Sequence, residues 1–557
     1  MENTIKGLNF ELKQNGISIN ENFHDDFKNL INGAQEKLPG ESFERLFWEQ
    51  QQKAFKCEAK GVRWHPMMIR FALHIHLRSP SAYRALKESG VIKLPCERTL
   101  RDYSNIIHPK VGFNKETFDD LKHQASKLEG TGKYVVLMFD EVSIKDDLVF
   151  DSHTGDLVGF IDIGGDLNDM FVAGNSKDLT KAIASHALVF MVGGLSSRLK
   201  FSLGYFGTQS ATSYMLFPLM WKAVGLCETY AGLKVVCVVS DKASPNQKMY
   251  RMHRLRDGVV YSTPNVFATD EDRDLYFFSD PPHLLKTTRN NFAASGFQSS
   301  RLMWNQKDII WKHLVDLYES DRTSLIRKMP KLTNEHIHLN PYSKMRVNLA
   351  AQVMSETVGK IMASYGPPAS SETSKFLLMI DKFFDCCNTR SLEEGAQKRK
   401  PYLAPYVSEN DERFVFLKDC FLKYLNDWKE AIDRRPGVHS KEDKAKMFLS
   451  IQTFEGIQTT VLSLIECVKF LLCHGFKYVL TNKISQDSLE DHFGRHRSLA
   501  RRSTNPTLQA LGFQETKLRL QRSIATSITP KGNTKGSKRP TERITISHSP
   551  LKKRKKV

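Results

Sequence analysis

The sequence predicts a mixed α/β core, split by a long helical insertion and preceded by a small helical domain. Three observations predict it. Between residues 134 and 291, β-type and helical segments follow in the order three strands, helix, strand, helix, strand, helix. Acids end two of the buried apolar runs: Tyr134–Phe139 leads into Asp140, and Leu233–Val239 leads into Ser240-Asp241. Residues 300–480 lack clear strand signals and read as mostly helical. This order matches the RNase H-like layout, in which the first and fourth strands are neighbours at the sheet centre. Asp140 and Asp241 would then lie side by side although they are far apart in the chain.

Residues 1–35 are polar and mixed. Residues 41–56 carry Phe43, Leu46, Phe47, Ala54 and Phe55 at nearly helical spacing, as expected of a helix packed on its own domain or of a dimerisation helix. Residues 63–105 read as three short helices. The first covers about 66–77. The second opens at Ser79-Pro80, an N-cap followed by proline, and stops before Gly90. The third begins near Pro95 and carries Arg98 and Arg101. Three short helices with arginines on the last suit a helix-turn-helix, whose final helix enters the major groove.

After the run ending at Asp140, residues 147–150 and 157–161 flank a hairpin-like turn at Ser152, Thr154 and Gly155. Strands follow at 187–193 and 200–206, a helix at 211–226, and the strand ending at Ser240-Asp241. A short strand, 275–279, ends at Asp280, and Pro281-Pro282 open a helix over 282–291. Beyond the insertion, QDSLEDHFGRHRSLA at 486–500 reads as a helix. From Pro530 the composition turns to Lys, Gly, Ser, Thr and Pro, which predicts disorder.

The net charge of +19 favours a polyanionic partner. Part of it is the tail, where residues 530–557 hold ten Lys/Arg and one Glu, leaving the body at +10. Nine scattered cysteines with no CxxC pair suit free thiols in a reducing compartment. No run of about eighteen consecutive apolar residues predicts a membrane span, and the N-terminus does not read as a secretory signal.

Two carboxylates at adjacent strand ends suit a hard divalent cation such as Mg²⁺. Two such ions about 4 Å apart serve in-line phosphoryl transfer, and a third acid is needed to hold the second. The 486–500 helix offers Asp487, Glu490 and Asp491; Asp487 shares a helix face with Glu490 and borders Asp491. Asp280, which also ends a strand, is a further candidate, and spacing leaves the choice open.

FDEVSIKDDLVFDSHTGDLVGF (139–160), FFSDPPHLLKTTRNNF (277–292) and SQDSLEDHFGRHRS (485–498) resemble the P-element transposase family, which includes THAP-domain relatives. WHPMMIRFALHIHLRSPSAYRALKESGVIKLPCERTL (64–100) is similar to its helix-turn-helix region, and the resemblance runs from about 60 to 515. It implies an α/β RNase H-like catalytic domain interrupted by an all-α insertion that binds GTP, preceded by a helix-turn-helix domain. The implied division is 1–57 an N-terminal segment, 58–115 helix-turn-helix, 130–298 and 481–525 the two RNase H-like parts, 299–480 the insertion, and 526–557 a basic tail. The catalytic, metal-holding acids implied are Asp140, Asp241 and Glu490. The guanine-nucleotide contacts implied are Arg346, Val347, Ser355, Phe384, Asp385, Asn388 and Asp487. There is no GxxxxGK[ST] phosphate loop.

The family's THAP zinc finger needs a close Cys pair followed by Cys-x-x-His; Cys57 and Cys96 have no such partners. DNA recognition is therefore expected from the helix-turn-helix with Arg98 and Arg101, and Lys286 and Arg289 are expected to contact phosphate. LKKRKKV at the end resembles a nuclear localisation signal. The expectation is a nuclear cut-and-paste transposase using Mg²⁺ or Mn²⁺ and GTP on transposon-end and target DNA, as a homodimer. The alternative is a domesticated, catalytically silent DNA-binding protein.

Overall fold

The structure, a computed structural model, describes residues 43–56, 62–104, 109–151, 154–164, 168, 182–254, 258–269, 271–499 and 505–525. Residues 1–42, Ser152 of the expected turn, Cys57 and the basic tail with its localisation-type sequence lie outside them. The chain divides into two units, one made of residues through Pro109 together with those from Phe513, the other of Lys110–Gly512.

The first unit is helical: α1 (Phe43–Lys56), α2 (Pro66–Arg78), α3 (Pro80–Glu88) and α4 (Glu97–Ser104). Ser79 caps α3 by accepting from Ala82 N at 3.2 Å, and Gly90 takes the positive φ (+71°) that releases the chain after it. Ile69, Leu73, Leu77, Tyr83, Leu94 and Leu100 form the core of this unit, and the Tyr83 hydroxyl donates to Pro95 O at 2.6 Å. The apolar face of α1 is spent on α2: Phe43, Leu46 and Phe47 pack on Met67, Met68 and Phe71. The helix packs within its own unit, one of the two roles expected for it, and Phe55 stays exposed.

The second unit is built on a seven-stranded sheet. Its strands are β1 (Gly112–Phe113), β2 (Tyr134–Ser143), β5 (His186–Gly194), β6 (Lys200–Thr208), β7 (Lys234–Ser240), β8 (Ser262–Pro264) and β9 (Asp274–Ser279), in spatial order β1-β6-β5-β2-β7-β9-β8. β2, β5 and β6 form an antiparallel meander, while β7 and β9 run parallel to β2. This is the RNase H-like order with one short strand added at each edge. β3 (Val149–Phe150) and β4 (Leu157–Val158) pair with each other in a separate ribbon.

Alternation along β2 divides its side chains between two cores. Val135, Leu137 and Phe139 face the core that includes Phe118 and Leu121 of α5 (Lys115–Ala125) and Leu219 and Met220 of α6 (Ser213–Gly225). Val136 and Met138 face the larger core, which continues into the insertion. β7 is followed by α7 (Ser244–Arg251), and β9 by α8 (Pro281–Ala293).

The insertion opens with a hairpin of β10 (Met303–Asn305) and β11 (Lys307–Ile309), which corrects the all-helical expectation; three-residue strands are too short to carry a readable alternation. Helices follow, among them α9 (Val347–Val353), α10 (Glu356–Tyr365) and α11 (Ser371–Cys387). The chain returns along α12 (Ile451–Cys473). Long and apolar enough by length and composition to cross a membrane, α12 instead packs on β9: the Thr460 and Ser463 hydroxyls donate to Ser279 O (3.0 Å) and Phe277 O (2.5 Å). Gly456 permits that approach, because a Cβ there would stand 2.9 Å from Leu284 Cδ2 and 3.1 Å from Ser279 Oγ. α13 (Asp487–Leu499) follows.

Two expected boundaries move. β1 and α5 belong to the sheet unit, which therefore begins at Lys110 and not at 130, and residues from Phe513 group with the helical unit. A two-residue edge strand leaves no sequence signature.

Candidate active site

Asp140 lies on β2 two residues beyond Met138, and Asp241 follows β7 two residues beyond Val239. Met138 and Val239 are register partners in the parallel ladder and share the larger core, so the two acids emerge side by side on that face. Asp140 accepts from the Glu141 amide at 2.8 Å. Burial first, and then the charge of Asp241, push the Asp140 carboxyl up to about 7. Asp241 is oriented by Ala243 N (2.9 Å) and Asn246 Nδ2 (2.5 Å), both donating to its Oδ1.

α13 brings the third acid from the far side of the insertion. Gln486, just before it, is buried and donates from its backbone N to Asp280 Oδ1 (2.8 Å) and from Nε2 to Phe139 O (2.8 Å). Those bonds tie the start of α13 to the residue preceding Asp140. Glu490, one turn on, adds its charge to the field at Asp140 and lies 4.0 Å from His283 Nε2. Asp491 is turned to Lys200, 3.6 Å away. Asp280, 1% exposed, caps α8 by accepting from His283 N (3.1 Å) and accepts from His283 Nδ1 (2.9 Å) as well as from Gln486 N. Its oxygens are thus engaged in holding His283 and Gln486. Burial alone would lower His283, but the hydrogen bond and charge of Asp280 outweigh it and hold the imidazole above its usual pKa. Sequence reasoning missed His283; a DxxH spacing at a helix start was the signal available for it.

Hard oxygen donors crowded so that like charges repel are the chemistry a divalent cation relieves, and Asp140, Asp241 and Glu490 fit such a group. Lys286, also on α8, is 9% exposed, and its ammonium lies in the field of Glu490, Asp280, Asp241 and Asp140. Arg289 corrects an expectation: it is fully buried, and its guanidinium donates to Ser343 O and Lys344 O at 3.1 Å, so it is not presented to a phosphate backbone. In the helical unit, Arg98 and Arg101 are exposed on α4.

The residues expected at a nucleotide fall into linked groups. Ser355 caps α10, and the next amide, Glu356 N, donates to Asp381. Asp381 and Asp385 share Lys400, whose Nζ stands 2.8 Å from each. Burial and then Asp381 push Asp385 up to about 6. Phe384 is half-buried against the core, and Asn388 ends α11. Thr389 receives the Asn482 amide (3.1 Å), which brings this end of α11 to the segment leading into Asp487; Asp487 feels the charge of Arg390. Asn482 Oδ1 is buried with no hydrogen-bond partner among the described residues, an acceptor suited to a ligand N–H. Arg346 and Val347 stand at the opposite end of α9 from Ser355, where Arg346 pairs with Glu335 at 3.0 Å. Asp381, Lys400 and Asn482 were not singled out from the sequence.

Residues 109–254 match the family described as "TNP-like, RNase H N-terminal domain", and 282–400 match "TNP-like, GTP-binding insertion domain". The chain is similar to DNA transposase THAP9 of Homo sapiens, 26% identical over 491 residues, covering 86% of this chain and 51% of that protein. It is 24% identical over 478 residues to Transposable element P transposase of Drosophila melanogaster, covering 84% of this chain and 55% of that protein. The chain thus spans about half the length of these curated relatives. The solved Drosophila P element transposase strand transfer complex superposes with a TM-score of 0.64 at 22% identity, over 86% of this chain and 96% of that one, a likeness of fold.

Proposed function

We propose, from its likeness to the P-element-type transposase family, that the chain is a DNA transposase that cleaves transposon ends and joins them to target DNA. The observation that carries this reading is the convergence of three acids from distant segments: Asp140 and Asp241 at neighbouring parallel strands, with Glu490 swung to them by α13. These three would hold Mg²⁺ or Mn²⁺, whose charge activates the attacking oxygen and stabilises the leaving one in displacement at phosphorus. His283, held by Asp280, steadies Glu490 from one side. Lys286 offsets negative charge at the same mouth and is suited to a phosphate. Water attack at a transposon end would free a 3′-OH, and attack by that hydroxyl on a target phosphodiester would join the strands.

GTP is the proposed cofactor of the insertion, supported by the domain match at 282–400 and by the linked group of Ser355, Phe384, Asp385, Asn388 and Asp487. Arg346 and Val347 would complete the site only from the far end of α9. Arg98 and Arg101 are proposed to contact DNA, and two copies are proposed to pair two ends. Action in the nucleus follows from a genomic DNA substrate.

The test is strand transfer in vitro. Purified protein is incubated with Mg²⁺, GTP, labelled candidate end DNA and a target plasmid, beside Asp140→Ala, Asp241→Ala and Glu490→Ala. Joined product in wild type and its loss in all three variants is expected. End binding without product in wild type would favour a domesticated DNA-binding protein, and hydrolysis without joining would favour a plain nuclease.

A further inference from the structure

Next to the three carboxylates, Lys286 belongs to a basic recess whose other members the chemistry described so far does not use. Lys286 is nine-tenths buried, yet its Nζ makes no hydrogen bond and no ion pair within 4.0 Å among the described residues. Lys242, immediately after Asp241, is half-buried and feels the like charge of Lys286. Its Nζ donates to Thr453 Oγ1 at 2.8 Å. Thr453 lies in the first turn of α12, and Ser450, the N-cap, places its hydroxyl 2.7 Å from Thr453 Oγ1 instead of capping the helix. The first amides of a 23-residue helix therefore keep their donors for another partner. Arg301, the third cation in range, is already engaged with Ala445 O and Phe448 O.

Burial outweighs the neighbouring carboxylates at both lysines, and Lys242 also feels the like charge of Lys286, so a further anion beside the positive end of this long helix would relieve both. We propose that Lys242, Lys286 and the first turn of α12 form a subsite for one DNA phosphodiester, adjoining the carboxylates and seating the backbone phosphate next to the one that reacts. The subsite rests on the DNA-transferring reading above. It gives the insertion a direct part in holding substrate, because α12 is the helix by which the insertion returns to the sheet. The sequence placed a phosphate contact at Lys286; Lys242 and α12 were invisible to it, since Thr453 lies 211 positions from its partner Lys242.

The experiment is duplex binding by the full chain, followed by fluorescence anisotropy of a labelled oligonucleotide in Ca²⁺ while KCl is raised about fourfold. One phosphate lost from the contact set reduces the slope of log Kd against log[KCl] by about 1. That loss is expected for Lys286→Met, which keeps the aliphatic length, and for the pair Lys242→Gln/Lys286→Met, with little added by the second change. Lys286→Arg should keep the slope, and circular dichroism reports the fold of each variant. Slopes equal to wild type in folded Lys286→Met and in the pair would overturn the subsite and leave the transposase reading standing. Failure of wild-type protein to bind any duplex would overturn both. GTP displacing DNA from wild type but not from Lys286→Met would reassign the recess to a nucleotide's phosphates, and so overturn the DNA assignment.

Discussion

Asp280 is the residue through which β9, α8 and α13 are held at one point, and replacing it tests whether the site is assembled as described. Its Oδ1 accepts from Gln486 N, and its Oδ2 accepts from His283 N and Nδ1, at 2.8, 3.1 and 2.9 Å. The carboxylate is 1% exposed, so removing it leaves these donors in a poorly hydrated place. Hydrogen bonds to a buried charged group contribute about 1.5–3 kcal/mol each, and a donor left unsatisfied costs about 1–3 kcal/mol. Asp280→Ala strips all three donors and should destabilise the protein by about 3–5 kcal/mol, a large share of an ordinary domain's total. Asp280→Asn keeps the shape and one acceptor but turns an NH₂ toward a donor, and should cost about 2 kcal/mol. The assay is urea unfolding followed by circular dichroism, with amide exchange at Gln486 as the local probe. In wild type that amide is sealed by Asp280; in Asp280→Asn it should exchange far faster than its neighbours on α13. An Asp280→Asn protein within about 0.5 kcal/mol of wild type, with Gln486 still protected, would refute the idea that this carboxylate pins α13 to the sheet.

Mg²⁺ or Mn²⁺ at about a hundred times its Kd should stabilise wild type by about 2.7 kcal/mol, read as a rise in Tm that EDTA reverses, and Asp241→Asn should lose most of it. The Arg273 guanidinium is buried against Glu228, with two hydrogen bonds of 2.7 Å, so Arg273→Met should cost about 3–5 kcal/mol in urea unfolding. Adding Glu228→Gln should recover most of that loss, since it removes the stranded buried charge. Asp385 has a folded pKa above its unfolded one, so between pH 4 and 6 the folded state binds more protons and stability falls as pH rises. Asp385→Asn should flatten that fall in unfolding curves taken across the window. A slope unchanged by the substitution would show that Asp385 does not carry it.

The sheet order was legible because the residues that make it obey a simple rule. Val135 to Phe139 and Val235 to Val239 are continuous apolar runs, as strands covered on both faces must be. An acid placed at the end of each such run therefore announces itself. The third acid was not legible from spacing. Asp487, Glu490 and Asp491 share one short helix, and they are separated by where that helix is docked, through Gln486 on Phe139 O and Asp491 on Lys200. Arg289 misled for a related reason. It stands three positions beyond Lys286 on α8, so composition reads both as a basic helix facing phosphate, whereas Arg289 is drawn under the turn at Ser343 and Lys344. β1 and β10–β11 escaped because two or three residues hold no period.

These placements make α8 more than a connection. Its first turn carries Asp280 and His283 to Glu490, its middle carries Lys286 to the acids, and its last turns carry Arg289 and Asn290 to the carbonyls of Ser343 and Lys344, just before Arg346 and Val347. A helix of thirteen residues thus has the candidate metal-holding acids at one end and the entry to α9 at the other. Any shift at α9 large enough to move those carbonyls must either break the Arg289 bonds or move α8 with them. In the first case the cost is a fully buried guanidinium that keeps only Asn290 Oδ1 as an acceptor; in the second, Lys286 and His283 move relative to the carboxylates they face. The two ends are therefore mechanically linked, and the insertion does not hang from the sheet as an independent body.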